Sequence, residues 1–185
     1  MMTPQAAPPQ IAIVASSYNA SITGPMLEAA RAELARRSPG TNAAVLRAPG
    51  AFELVALASS AARSGAFEAV VALGCVIRGQ TSHDRYISAA VAEGLARLSA
   101  ELAMPVCFGV ITADSAAQAR ARAGGDKGNK GQEAMAAALD ALAELRRLRG
   151  ALAGGDLRPL MAPPPEPPAD ATPPVDKAAP AGASA

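Results

Sequence analysis

The sequence predicts a three-layer α/β sandwich, a four-stranded parallel sheet with helices on both faces. Three observations carry that expectation. Short runs rich in valine, isoleucine and alanine alternate with longer Ala/Leu-rich segments. The runs are almost continuously apolar, as strands buried on both faces should be. Each stretch between them is long enough for the crossover that joins parallel neighbours.

Residues 1–9 hold three prolines and no periodicity and are expected to form a flexible arm. Residues 10–15 are the first strand, closed by the polar loop Ser16-Ser17-Tyr18-Asn19. A helix should begin near Ser21 or Thr23, either able to cap the free amides, with Pro25 in the first turn and an end near Arg37. Residues 43–47 form the second strand and Pro49-Gly50 a sharp corner. Residues 51–63 read as a helix with Phe52, Val55 and Ala56 on one side. The third strand, 69–73, runs into a polar loop and a helix over about 83–103, which Pro105 bounds. Residues 106–111 are the fourth strand. Asp114 or Ser115 can cap a short helix to about Ala123, Gly124-Gly125 breaks it, and 129–149 is a last amphipathic helix. The layout is flavodoxin-like, with one domain over 10–150. Nine of the sixteen prolines fall from Pro159 onward, so 151–185 is expected to be a disordered Pro/Ala-rich tail that buries too little apolar surface to fold.

Composition narrows the function classes. The 185 residues are 50% hydrophobic, with 17 basic and 16 acidic side chains in no blocks, so neither nucleic acid nor membrane is an expected partner. The amino terminus has neither a basic start nor an apolar signal core, and a cytoplasmic location is expected. Cys75 and Cys107 are the only cysteines, and the chain has one histidine. Two sulfurs without histidine partners suit neither a zinc site nor a disulfide framework, so both read as small core residues and no metal is expected.

Three loops fall at the carboxyl edge of the expected sheet, where open α/β sheets bind ligands: 16–19, 47–53 and 74–83. Of only five aromatic side chains, Tyr18, Phe52, Tyr86 and Phe108 lie in or beside these loops or on the fourth strand, where a ring could stack on a planar ligand. Gly79-Gln80-Thr81-Ser82 leads into a helix amino terminus, whose free amides favour an anion such as phosphate; the plain alternative is that Thr81 or Ser82 only caps the helix. His83 sits in the first turn, where the dipole favours an imidazole free to act as a base; the alternative is an ordinary surface histidine. Residues 120–131 concentrate basic groups around glycines. A triphosphate-binding loop is rejected there, because glycine follows Lys130 and a helix precedes the glycines. What remains is a second positive source for an anion, or a solvated surface. Glu53 could cap its own helix or accept hydrogen bonds from a polyol.

Four segments together resemble the 6,7-dimethyl-8-ribityllumazine synthase family: Pro49-Gly50-Ala51-Phe52-Glu53-Leu54, residues 74–83 (GCVIRGQTSH), residues 105–112 (PVCFGVIT) and residues 122–131 (RAGGDKGNKG). They occur in order with family-like spacing between about residues 11 and 148. The resemblance implies condensation of 5-amino-6-ribitylamino-uracil with 3,4-dihydroxy-2-butanone 4-phosphate in riboflavin synthesis, without metal or organic cofactor. It implies that Tyr18 stacks on the pyrimidine with Asn19 beside it, and that Ala51, Phe52 and Glu53 hold the ribityl chain. Cys75, Val76 and Ile77 would meet the pyrimidine edge. Gln80, Thr81 and Arg122 would bind the phosphate, Lys130 matches the family's lysine of that region, and His83 would shuttle protons. Phe108 would come from a neighbouring subunit, since family members are pentamers or assemblies of pentamers; riboflavin synthase is a further implied partner. The first loop departs from the family, which commonly has arginine before the aromatic and phenylalanine or tryptophan in place of Tyr18. A second hypothesis is a paralogue that binds flavin or lumazine, or scaffolds an assembly, without catalysis.

Overall fold

The computed structural model describes residues 8–161; most of the expected arm, and the expected tail beyond 161, lie outside the described residues. The elements are β1 (Ile11–Ser16), α1 (Ala20–Arg37), β2 (Ala44–Ala48), α2 (Leu54–Arg63), β3 (Ala69–Ile77), α3 (His83–Leu102), β4 (Val106–Ala113), α4 (Ala116–Ala121), β5 (Ala123–Gly125), β6 (Gly128–Asn129), α5 (Lys130–Gly154) and α6 (Arg158–Met161). The main sheet has the order β2-β1-β3-β4 and every pair in it is parallel. This is the expected flavodoxin-like α/β fold.

Successive strand residues point to opposite faces, so one apolar run feeds two cores. Ile11, Ile13, Ala15, Val71, Leu73 and Cys75 pack against Met26, Leu34, Met135 and Leu142 of α1 and α5. Ala12, Val14, Val70, Ala72 and Val76 pack against Leu54, Ala58, Val91 and Leu95 of α2 and α3. The two layers explain why the strands carry no polar alternation. No described helix is long and apolar enough to cross a membrane.

The structure departs from the expected boundaries where tertiary contacts outrank local signals. β3 runs on to Ile77 and β4 to Ala113, because the two continue to pair from Gly74 with Val110 to Ile77 with Ala113. α1 starts at Ala20, so Pro25 is inside the helix, and neither Ser21 nor Thr23 is its cap. Thr23 instead donates its hydroxyl to the Ser16 carbonyl at 2.8 Å. α2 starts at Leu54 and buries Leu54, Ala58, Ala61 and Ala62, leaving Phe52 and Ala56 exposed. The break at Gly124-Gly125 is a two-stranded hairpin, β5-β6, with Gly124 at φ 114 at the register shift within β5 and Gly128 at φ 79 opening β6. α5 passes residue 149 and ends at Gly154, capped by Gly155 in the left-handed conformation.

Two carboxylates tie helices to the fold. Glu33 of α1 is nearly buried and takes two hydrogen bonds from Arg36 and one from Gln132 of α5. Glu68, just before β3, accepts from Arg146 of α5 and from the Gln10 backbone. The hydrogen bond from Arg36 holds the Glu33 carboxyl below its ordinary range, and that from Arg146 does the same for Glu68, each against a smaller opposing effect of burial. A carboxyl whose folded-state pKa is lowered adds stability above its unfolded pKa and loses it as the pH falls through the folded value. Resistance to urea is therefore expected to decline below about pH 5, more shallowly in Glu68→Gln than in the parent, as pH-dependent denaturation curves will read.

Candidate active site

The sheet order reverses between β1 and β3, since β1 has β2 on one side and β3 on the other. The carboxyl ends of those strands open the crevice in which such sheets bind ligands. The loops leaving the strands are fastened to one another there. Ser17 and Tyr18 donate their backbone amides to the Ala48 and Pro49 carbonyls at 2.7 and 3.1 Å, joining the β1 loop to the end of β2. Asn19 crosses the other way, its Nδ2 donating to the Cys75 carbonyl of β3 at 3.0 Å. Tyr18 is thus held on a loop anchored to both neighbouring strands while its ring stays 71% exposed.

Asn19 does this from an unusual backbone. Its φ of 59° and ψ of 43° are left-handed, a region asparagine tolerates better than most side-chain-bearing residues. Alanine at this position should lose about 2 kcal/mol, from left-handed strain and the missing hydrogen bond together. Glycine should lose about half as much, because it removes the bond but accepts the backbone. Urea denaturation of the two variants checks that order.

Beyond β2, Ala51 is buried, whereas Phe52 and Glu53 are exposed at the turn into α2. Glu53 occupies the cap position of α2, yet its side chain makes no capping bond. Its carboxylate lies back toward Gly50, where a Cβ would come within 2.9 Å of Oε2. The capping alternative is not realised, and the acceptor oxygens remain available at the sheet edge.

Cys75 and Val76 are buried and Ile77 half-buried at the end of β3. The Cys75 thiol faces the core, and burial pushes it up to about 11, so only its backbone is offered to the crevice. Cys107 is raised to about 11 for the same reason. In register Cys107 pairs with Val71 and Cys75 with Ile111, and both thiols are free. Four rungs, roughly 13 Å of strand, separate the two positions.

Past β3 the chain turns through Arg78, Gly79, Gln80, Thr81 and Ser82, all exposed, into α3, which begins at His83. Ser82 is the cap residue but makes no side-chain cap. Thr81 turns its hydroxyl to His83, with Oγ1 and Nδ1 2.6 Å apart. The imidazole lies over Gly79, whose absent Cβ would stand 3.0 Å from the ring's Cε1. A Cβ there would crowd the ring, which would have to shift by a few tenths of an ångström.

The basic residues sit to the other side. Arg122 follows α4, and Lys130 opens α5, its backbone amide donating to the Arg122 carbonyl at 2.9 Å. Lys130 Nζ pairs with Glu133 at 2.9 Å. Ala119 and Ala123 belong to the core layer of α1 and α5, whereas α3 belongs to the other. Arg122 and His83 therefore flank opposite faces of the sheet in one chain. Phe108 stands apart from both. It pairs with Ala72 in the middle of the sheet, four rungs before Val76 and Thr112, and is 38% exposed on the edge strand.

Sequence reasoning missed one feature of this edge. A cavity of about 320 Å³ between the ends of β3 and β4 is lined by Arg78, Asp84, Ser88, Thr112, Asp114 and Gln118. Arg78 and Asp114, both in its lining, form an exposed ion pair of 3.5 Å, of a kind that contributes little stability. The only advance signal was that both follow paired strands. Among the described residues no three His, Cys, Asp or Glu side chains cluster as a metal would require.

The family model for 6,7-dimethyl-8-ribityllumazine synthase matches residues 8–146. A curated relative from Caulobacter vibrioides, named 6,7-dimethyl-8-ribityllumazine synthase 1, is 42% identical over 143 residues, which are 77% of this chain and 94% of the relative. The match takes in all four main strands and every loop described above. The chain belongs to the 6,7-dimethyl-8-ribityllumazine synthase family.

Proposed function

We propose that the protein condenses 5-amino-6-ribitylamino-uracil with 3,4-dihydroxy-2-butanone 4-phosphate, releasing phosphate and two waters. What supports this reading is the gathering of Tyr18, Glu53 and His83, from three strand-end loops, at one edge of the sheet beside its point of reversal. In the proposed complex the Tyr18 ring stacks on the pyrimidine. The end of β3 from Cys75 to Ile77 meets the pyrimidine edge. Asn19 lies beside the ring, Ala51 and Phe52 flank the ribityl chain, and Glu53 accepts hydrogen bonds from its hydroxyls. Gln80 and Thr81, at the α3 amino terminus, take the phosphate, and Arg122 and Lys130, on the other face of the sheet in the same chain, add positive charge from a neighbouring subunit.

The chemistry needs proton transfers at every stage. The amine attacks the ketone and loses a proton as the carbonyl oxygen gains one. The hydroxyl of the carbinolamine leaves as water once protonated, giving the imine, phosphate departs after a carbon-bound proton is removed, and the closing amine expels a second water. A single imidazole that alternately takes and returns a proton serves these steps, while holding two substrates together lowers the entropic barrier.

We further propose a homo-oligomer, a pentamer or an assembly of pentamers, in the cytoplasm, with riboflavin synthase as a partner that consumes the product. The support for oligomerisation is Phe108: an exposed ring roughly 13 Å along β4 from the carboxyl edge suits a neighbour's crevice better than its own. The activity is tested by measuring inorganic phosphate in mixtures containing one substrate or both. Phosphate released in equal amount to lumazine, and enzyme-dependent only when both substrates are present, is the expected result.

A further inference from the structure

We infer that Thr81 controls which nitrogen of His83 carries the proton, and that an anion bound by Thr81 switches the ring into its base form. The inference rests on the proposed site and goes beyond it in joining phosphate binding to acid-base catalysis through one hydroxyl.

Two contacts fix the imidazole. Its Cε1 edge lies against Gly79, and Nδ1 is 2.6 Å from Thr81 Oγ1. No described side chain bonds Nε2, which is therefore the nitrogen open to substrate. A neutral imidazole carries one proton, and the partner of one nitrogen sets which nitrogen holds it. A threonine hydroxyl has one proton to donate and lone pairs to accept with. With nothing else bound, Oγ1–H can donate to Nδ1, which leaves the ring proton on Nε2, so that Nε2 can donate a hydrogen bond but cannot act as a base.

A phosphate held at the 79–82 turn changes this. It has only acceptors to offer in its dianionic form, so it takes the Thr81 hydroxyl proton as its hydrogen bond. Oγ1 can then face Nδ1 only with a lone pair, so Nδ1 must carry the ring proton and Nε2 is left bare. The proton count of the ring is unchanged, because the proton leaves Nε2 and arrives on Nδ1 by exchange with water. When phosphate is expelled the hydroxyl returns to donating, and Nε2–H is restored. The residue is thus a base while the phosphate is present, when a carbon-bound proton must be removed; having taken that proton on Nε2 the ring is an imidazolium, and this cation returns the proton from Nε2 when the last hydroxyl leaves as water, which makes the ring neutral again. Thr81 is a positioning residue in this role.

Because His83 is the only histidine in the chain, its ring nitrogens can be followed without assignment. The experiment is magic-angle-spinning NMR of the untagged, 15N-histidine-labelled full chain at a pH where the ring is neutral, titrated with inorganic phosphate. In the parent the Nδ1–H form should rise from the minor to the major species as phosphate saturates. Thr81→Ser should reproduce that change, and Thr81→Val, which keeps the shape and lacks the hydroxyl, should abolish it. A parent ring that does not respond to phosphate overturns the inference, as does an equal response in Thr81→Val. Turnover of the parent is measured on the same preparation. Turnover without the tautomer change sinks the inference and leaves the synthase reading, whereas the change without turnover upholds the linkage and sinks that reading.

Discussion

Gly131→Ala is expected to abolish folding or to cost on the order of 4 kcal/mol or more, well above an ordinary substitution. Gly131 is buried in the first turn of α5, where that helix crosses α1. A Cβ there would stand 2.0 Å from the Met26 carbonyl oxygen, 2.6 Å from its carbon and 2.8 Å from its Cα. All three atoms are backbone inside α1, so no side chain can swing away and one helix must move. Moving it disturbs the layer in which Met26 and Met135 are fully buried. The total stability of a domain this size is about 5–15 kcal/mol, so the loss is a large part of it. Gly150, in the same helix with nothing within 4 Å of its Cβ position, is the control. Alanine there should be neutral or stabilise by about 0.5–1 kcal/mol through helix propensity. Denaturation midpoints and soluble yields of the two variants should separate sharply.

The second large effect concerns catalysis. His83→Ala is expected to lower kcat by about 100-fold or more while leaving the fold intact, because general acid-base catalysis typically contributes about 100- to 10,000-fold. The imidazole is exposed, and its described hydrogen bond is to the exposed Thr81, so its loss should change stability by about 0.5 kcal/mol at most. KM should change little, since pyrimidine, ribityl chain and phosphate are assigned to other side chains. Residual activity should persist, because two substrates held side by side still react faster than in solution. Steady-state kinetics beside a thermal melt of the same variant reads both halves.

Much of the architecture was legible in the sequence because parallel strands buried on both faces leave a plain mark. The runs at 10–15, 69–73 and 106–111 lie on β1, β3 and β4. The sheet order was not legible, since it is set by which strands meet across crossovers and no single strand records it. Boundaries failed where one element depended on another: β3 extends to Ile77 only because β4 is there to pair with it. The β5-β6 hairpin was hidden because Gly124-Gly125 reads as a break, and a two-residue strand has no periodicity. At the site, the residue types and loops could be read, and the family resemblance joined them to a reaction. The tether from Asn19 to the Cys75 carbonyl and the bond from Thr81 to His83 could not be, because each depends on a rotamer and a backbone conformation. The caps show the same limit. Ser115 and Asn129 do cap α4 and α5, whereas Glu53 and Ser82 hold cap positions without making the bond.

On the proposed reading this edge of the sheet turns over substrate and does more than hold a flavin-like ligand. The most direct test is a continuous absorbance assay of lumazine formation by the purified full chain with both substrates, scored as product formed per subunit. Many product molecules per subunit, at a steady rate proportional to protein, is the result expected of a synthase. A folded protein that forms no more product than the two substrates do alone would contradict the account and leave a binding protein or scaffold in its place.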